Sequence, residues 1–232
     1  MRIYVKNAVM QKDLRRDSML RIKRIDVILE KSELLYQTDF SGGELERDFE
    51  ISNGEWTFKD GYLVGYMEED GGGLIYSNKH YFGDVLIDFY AKTVAPYDND
   101  LNFTLCSNGW NYERNKPNDA YIGGLQGWWI GKTGIEKCPY DSNIEALTGM
   151  HNFVPGEEYH IQAGRVGNRV FMFIDGVLAV ELTDPNPIVD YGRVGLGVYA
   201  SKVAFRDLKI YKPYTQPFDV TYVGMRKESK AK

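Results

Sequence analysis

The chain has 232 residues, a formal net charge of −5 and an isoelectric point near 5.3. This acidic balance offers no attraction to a phosphate backbone, so we expect no nucleic-acid partner. No window of about 18 apolar residues occurs, so the sequence predicts no membrane span and no membrane partner. The length suits a single β-sandwich, a class that often exceeds about 200 residues as one domain.

The N-terminal segment and the cysteine content favour a cytoplasmic location. The opening MRIYVKNAVMQKDLRRDSML lacks the apolar stretch of a secretory signal. Cys106 and Cys138 are the two cysteines, and thiols stay reduced in the cytoplasm.

Residues 1–32 are more basic than the rest of the chain. Two alternating pieces, RIYVKNAVM and RIKRIDVILE, predict strands of an N-terminal arm or edge hairpin laid on the main domain. The alternative is an arm that contacts a partner subunit in a homo-oligomer. We favour the first, because basic side chains spread over two alternating strands are typical of a solvated face.

Residues 33–212 predict a regular series of short antiparallel strands. ELLYQTDF, GLIYSNK, DVLIDFYAKTV and LNFTLCS read as strands, and EWTFKDGYLVGYM reads as a hairpin that turns at 59–61. After Glu158 the alternation resumes, with turns at Gly167-Asn168 and Asp175-Gly176. About a dozen half-apolar strands with almost no helix predict an all-β fold, a two-sheet antiparallel jelly-roll sandwich.

Two stretches of the chain are less regular. Residues 132–155 read as loops with a short helix around 143–147, and irregular loops on a β scaffold often carry sites. Residues 213–232 read as a tail that packs at first and then frays.

The motifs ELLYQTDFSGG, NGEWTFKDGYLVG, GLIYSNKHYFGDVLIDFYAKT and RVFMFIDGVLAVELTD occur in an order that resembles concanavalin A-like lectin and glucanase sandwiches. The chain is most similar to bacterial 3-keto-disaccharide hydrolase-like domains and to small sandwich proteins of pectin and rhamnogalacturonan utilisation. The resemblance covers roughly residues 34–212. It implies a concave sheet that meets carbohydrate, but this fold hosts hydrolases, lyases and lectins alike.

One departure bears on the activity. Laminarinase-type members carry an E-x-D-x-x-E strand motif, and the matching strand here, AYIGGLQGWWIG, has no carboxylate. Retaining hydrolysis needs two carboxyl groups about 5 Å apart, so that activity is disfavoured.

Candidate saccharide ligands lie on and around this strand. Period two places Tyr121 on one face and Gln126 with Trp128 on the other, beside glycines that leave room for a sugar ring. An amide reads hydroxyl groups and an indole stacks on the ring, although a core tryptophan is the alternative. The remaining candidates share the amide or carboxylate suited to hydroxyl groups and are also common in turns, namely Asn102, Asn108 and Asp119.

Three residues are candidates for proton transfer. Glu136 and Lys137 adjoin in GIEKCPYD, and His151 follows in TGMHNF. Glu136 or His151 would be the base, and Lys137 or Tyr121 the proton donor. The alternative for Glu136 and Lys137 is a solvated loop pair.

No spacing typical of a transition-metal site or of a serine or cysteine nucleophile occurs. The resemblance implies that Asp207 in FRDLKIY would help to bind a structural calcium, with the turn at 41–43 as a carbonyl donor. The alternative is an exposed strand carboxylate.

Two function hypotheses follow. The first is cleavage of a small glycoside on the concave sheet, by hydrolysis or by elimination from a 3-keto sugar. Elimination needs one base and one acid, which suits a chain without the paired-carboxylate motif. The second is a non-catalytic glycan-binding module or accessory subunit.

Overall fold

A computed structural model describes residues 19–43, 45–68, 72–127, 132–139, 145–149 and 153–218. Within these ranges the helices are one 3-10 turn at Leu29–Lys31 and one turn of α-helix, α1, at Leu45–Asp48. The all-β prediction is therefore confirmed.

No helix among the described residues is long and apolar enough to cross a membrane.

Fifteen of the strands form two antiparallel sheets. In spatial order, the seven-stranded sheet contains β14 (Glu145–Gly149), β13 (Lys132–Cys138), β12 (Ala120–Leu125), β9 (Leu101–Ser107), β18 (Arg193–Tyr199), β7 (Gly72–Ser77) and β4 (Phe49–Ile51). The eight-stranded sheet contains β17 (Val177–Thr183), β16 (Arg169–Ile174), β15 (Tyr159–Val166), β8 (Val85–Thr93), β19 (Lys202–Lys212), β6 (Tyr62–Tyr66) and β5 (Glu55–Lys59), with β3 (Glu33–Thr38) also paired to β19.

The two sheets enclose one hydrophobic core. Phe103 of the seven-stranded sheet meets Phe89 of the eight-stranded sheet edge to face, with ring centroids 6.4 Å apart. The ring centroids of Phe89 and Phe205 are 6.2 Å apart. Because strand side chains alternate, Phe103 and Leu105 of β9 face this core while Asn102 and Thr104 face outward.

The predicted hairpin turns follow from local backbone chemistry. Asp60-Gly61 joins β5 to β6, and Asp175-Gly176 joins β16 to β17. All four residues have positive φ, between 50° and 77°. Two left-handed residues in succession form the turn whose twist matches antiparallel strands, and Asp-Gly tolerates that conformation best.

A third, small sheet covers part of the eight-stranded sheet. It contains β1 (Met19–Ile22), β2 (Ile25–Ile28) and β20 (Thr215–Pro217). Leu20, Ile22 and Val27 pack there against Leu86 and Phe171. The described part of the N-terminal arm thus lies on the outer face of the eight-stranded sheet and away from the seven-stranded one.

Two local predictions are corrected. RIKRIDVILE, expected as one strand, forms β1 and β2 with a turn at Lys23-Arg24, because Lys23 adopts a φ of 47° that ends the first strand. Residues 132–138 and 145–149, expected as loops and a short helix, are the strands β13 and β14. Pairing of β13 with β12, and of β14 with β13, overrides their weak local pattern of glycine and charged residues. RIYVKNAVM lies outside the described residues.

Candidate functional site

The strand register aligns outward side chains of the seven-stranded sheet into rows that cross it, because directly paired residues of antiparallel strands share a face. One row is polar at both ends and runs Thr104, Ile122, Glu136, Glu145. The neighbouring row, which we call the glycine row, runs Gly197, Asn102, Gly124, Gly134, Leu147.

The glycine row lies between two carboxyl groups. Glu136 belongs to the row on one side. Asp100 precedes β9 on the other side, where Asn102 Nδ2 donates to Asp100 Oδ2 at 2.6 Å and Asp100 N donates to Gln126 O at 3.2 Å. We use the name trough for this buried patch of the sheet face. It contains Asn102 with Gly124 and Gly134, flanked by Thr104, Ile122 and Glu136 on one hand and by Asp100 with Gln126 on the other.

Two glycines next to the trough, Gly127 and Gly197, allow neighbouring side chains to pack directly against the backbone. A Cβ on Gly127 would lie 2.5 Å from Asp100 Oδ1, so the Asp100 carboxylate packs directly on that backbone. A Cβ on Gly197 would lie 2.5 Å from Leu74 Cδ2, so Leu74 covers that end of the glycine row. Leu74 in turn packs with Tyr76 and with Trp110, which begins the short ribbon of β10 (Trp110–Asn111) and β11 (Lys116–Pro117).

Three buried polar atoms of the trough have no hydrogen-bond partner within the described part of the chain. They are Asn102 Oδ1, Thr104 Oγ1 and Glu136 Oε1. Their residues are only 5%, 0% and 8% exposed. An unsatisfied buried polar atom costs about 1–3 kcal/mol. Three such atoms on one sheet face are typical of a site whose hydrogen bonds a ligand or ordered water completes.

Burial also shifts both carboxyl groups of the trough towards neutrality. Desolvation, helped by the nearby charge of Glu145, raises the pKa of Glu136 to about 7. Desolvation likewise raises the pKa of Asp100 to about 8, against the hydrogen bond from Asn102, while the charge of Glu136 adds to the rise. Two carboxyl groups that exchange protons near pH 7 are suited to general acid and base roles.

Lys137 and Tyr121 belong to a different network. Successive strand residues face opposite ways, so Lys137 points away from the trough. Lys137 Nζ lies 2.8 Å from Asp184 Oδ2, and Tyr121 OH donates to the same carboxylate at 2.6 Å. Tyr121 is fully buried in the core. The predicted pairing of Glu136 with Lys137 in a loop is therefore wrong, and Tyr121 does not reach the face that carries Glu136.

The other predicted saccharide ligands separate along β9 and β12. Asn102 lies in the trough and Gln126 flanks it. Asn108 and Asp119 lie at the opposite strand ends, where Asn108 N donates to Asp119 O at 2.8 Å. Trp128 and His151 lie outside the described residues.

Sequence reasoning missed Asp100 and Thr104 as members of the same face. The signal was present in DLNFT, where Asp100, Asn102 and Thr104 alternate with Leu101 and Phe103. Only the strand register shows that these three residues share a sheet face with Glu136, two strands away.

The residues around Asp207 do not fit a calcium ion. Asp207 and Asp39 line one depression with Lys209, and the Asp207 carboxylate is ion-paired with Arg206. Two cations beside two carboxylates oppose a divalent ion that needs six to eight oxygen ligands. In the described residues, no three His, Cys, Asp or Glu side chains gather as metal ligands.

The raised pKa of Asp100 predicts how pH affects stability. The unfolded carboxyl ionises near pH 4, whereas the folded one resists ionisation until about pH 8. Protons are therefore bound more tightly by the folded state, and this group's contribution to stability falls as the pH rises from about 4 to 8. Asp100→Asn should gain stability relative to the wild type as pH rises, measured by urea unfolding at pH 5 and pH 8. Asp98→Asn, at an exposed neighbour, is the control and should show no such gain.

A second prediction tests the structural role of Lys137. Lys137→Met leaves the fully buried Asp184 without its cation, which should lower the free energy of unfolding by about 3 kcal/mol. Lys132→Met, at an exposed position of the same strand, should change it by less than about 0.5 kcal/mol. Equal urea midpoints for the two variants would contradict this role.

No family model matches the sequence, and no curated protein matches it either. Solved structures do match. A protein of unknown function with a galectin-like fold from Bacillus subtilis has a TM-score of 0.64 at 12% identity, over 78% of this chain and 96% of that one. The endo-β-1,3-glucanase of Pyrococcus furiosus has a TM-score of 0.59 at 11% identity, over 86% of this chain and 99% of that one.

The carbohydrate-binding module CBM66 of Bacillus subtilis also matches, with a TM-score of 0.54 at 13% identity, over 71% of this chain and 95% of that one. Identities this low establish the fold alone. The chain has the fold of the concanavalin A-like lectin and glucanase sandwiches.

Proposed function

We propose that the trough binds a small saccharide and that Asp100 and Glu136 transfer the protons that cleave its glycosidic bond. One observation carries the proposal. Two buried carboxyl groups with pKa values near neutrality flank a glycine row, and three buried polar atoms of this trough lack partners among the described residues. The fold is also that of a glucanase and of a carbohydrate-binding module, which supports a saccharide as the ligand.

The two carboxyl groups suit either route of cleavage. In hydrolysis, the protonated carboxyl donates its proton to the departing glycosidic oxygen, and the ionised one takes a proton from the attacking water. In elimination from a 3-keto sugar, the ionised carboxyl removes the proton next to the ketone. The protonated one then donates to the leaving oxygen, and a double bond forms in the ring. Each route consumes one acid and one base and balances its protons.

A second candidate function is glycan binding without catalysis. The outward residues Ala120 and Ile122 of β12 carry no polar group and pack with Cys138. The strand at the centre of the trough thus brings no carboxylate to the face, in keeping with the missing E-x-D-x-x-E motif. This observation favours a protein that binds a sugar between β9 and β13 without cleaving it.

One experiment separates the two functions. Purified protein would be incubated with β-glucans, neutral oligosaccharides and 3-keto-glycosides, with binding measured by calorimetry and products by mass spectrometry. We expect saturable binding together with release of a shorter saccharide or an unsaturated keto sugar. Binding without product would favour the second function. No binding to any member of the panel would overturn both.

We also propose a cytoplasmic location. It is supported by the low cysteine content of the sequence, two residues that are both buried.

A further inference from the structure

We propose that the trough selects saccharides by charge, preferring sugars that carry a free ammonium group to neutral sugars and rejecting sugars that carry a carboxylate. This inference rests on the proposed function, since it names the class of saccharide for the same site.

The hydrogen-bonding capacity of the trough is mostly that of an acceptor. Asn102 has already committed its Nδ2 to Asp100, which leaves its buried Oδ1 without a partner. Glu136 Oε1 is also buried without a partner. An ammonium group has three donors and no acceptor, so it complements such a set better than a hydroxyl group does. A carboxylate, which only accepts, would leave Asn102 Oδ1 unsatisfied.

The carboxyl groups of the trough influence one another, and the nearest cations are engaged or exposed. The charge of Glu136 helps to raise the pKa of Asp100, and the charge of Glu145 helps to raise that of Glu136. Arg193, on the neighbouring strand β18, is already ion-paired with Glu50 at 2.8 Å. Lys132, two residues before Gly134, is exposed to solvent.

Burial strengthens the electrostatic effect of these two carboxyl groups on a ligand. Asp100 and Glu136 are 2% and 8% exposed, so water and salt screen them less than surface carboxylates. A ligand cation placed between them would offset the cost of ionising both groups. A ligand anion would instead oppose the ionisation of both groups, because like charges repel strongly in the same low-dielectric space.

The buried and unpartnered atoms distinguish the trough from an ordinary acidic surface. Thr104 Oγ1, fully buried two strands from Glu136 in the same row, supplies one hydroxyl that can both donate and accept. A sugar ring bearing one ammonium and several hydroxyl groups could satisfy the acceptors and this hydroxyl together. A simple amine could satisfy only the acceptors.

The test uses sugars that share one ring and differ in charge. Glucosamine, glucose and glucuronate, and the corresponding galactose series, would be titrated into the full chain at pH 7 with binding followed by NMR. We expect glucosamine or galactosamine to bind at least about tenfold more tightly than the matching uronate, with the neutral sugar between them. The ratio should shrink at 1 M salt.

The double variant Asp100→Asn, Glu136→Gln keeps the shape of both side chains and removes both charges. It should bring the ratio between amine and uronate close to one, and Glu145→Gln alone should lower it only slightly. The inference would be overturned if uronates bound as well as amines, or if the double variant left the ratio unchanged. In either case, binding of neutral sugars would still support the proposed function. Failure of all six sugars and of the neutral oligosaccharides to bind would remove both. An amine without a sugar ring that binds as tightly as glucosamine would show charge capture alone and would also overturn it.

Discussion

Glu136→Gln is expected to reduce glycan cleavage by about 10²–10⁴-fold while leaving saccharide binding within a few-fold of the wild type. The amide keeps the size and most hydrogen bonds of the carboxyl but can neither release nor take a proton near pH 7. Because the wild-type pKa is raised to about 7, the rate should also change with pH in that region, and this change should vanish in the variant. Steady-state kinetics on the substrate found by the saccharide panel, from pH 5 to pH 9, measures both effects.

Two further variants sharpen this result. Asp100→Asn should also slow cleavage and should remove the other limb of the pH–rate profile, because Asp100 is the second titrating carboxyl of the trough. Glu145→Gln is the matched control. Glu145 is exposed at the end of the same row, so its loss should keep the rate within a few-fold and only lower the pH at which Glu136 titrates. An unchanged rate and pH profile in Glu136→Gln would mean that Glu136 transfers no proton in the reaction.

Much of the fold could be predicted from the sequence because its signals are local. The Asp60-Gly61 and Asp175-Gly176 turns set two hairpins, and alternation along β9 and β15 sets which side chains are buried. The failures lie where pairing decides the structure. β13 and β14 become strands at one edge of the seven-stranded sheet, and no local sequence pattern predicts their pairing.

The candidate site was predictable only in part, and for the same reason. Glu136 was chosen correctly as a residue of interest, but its supposed partner Lys137 faces the other way. Asp100 is two strands from Glu136 across the sheet, so sequence separation gives no hint of their electrostatic coupling. Which carboxyl groups act together depends on register, and register is a property of the assembled sheet.

Gly195→Ala is expected to be among the most destabilising single substitutions in the chain. A Cβ at this position would lie 2.1 Å from the carbonyl oxygen of Ile75 and 2.7 Å from Thr104 Oγ1. The carbonyl belongs to the neighbouring strand β7 and cannot move without breaking the pairing of Gly195 with Tyr76. We expect the free energy of unfolding to fall by at least about 3 kcal/mol, the upper end of overpacking costs, measured by urea denaturation.

Gly149→Ala is the matched control, because it also lies in a strand of the seven-stranded sheet but has nothing within 4 Å of the added Cβ. Alanine there should be neutral or stabilising by about 0.5 kcal/mol. The comparison also links the fold to the site. The methyl group that clashes at Gly195 would push on Thr104, whose unpartnered hydroxyl faces the trough. Any Gly195→Ala protein that does fold should therefore bind saccharide more weakly than Gly149→Ala. Equal stability and equal binding in the two variants would mean that the glycine at 195 serves neither the sheet nor the trough.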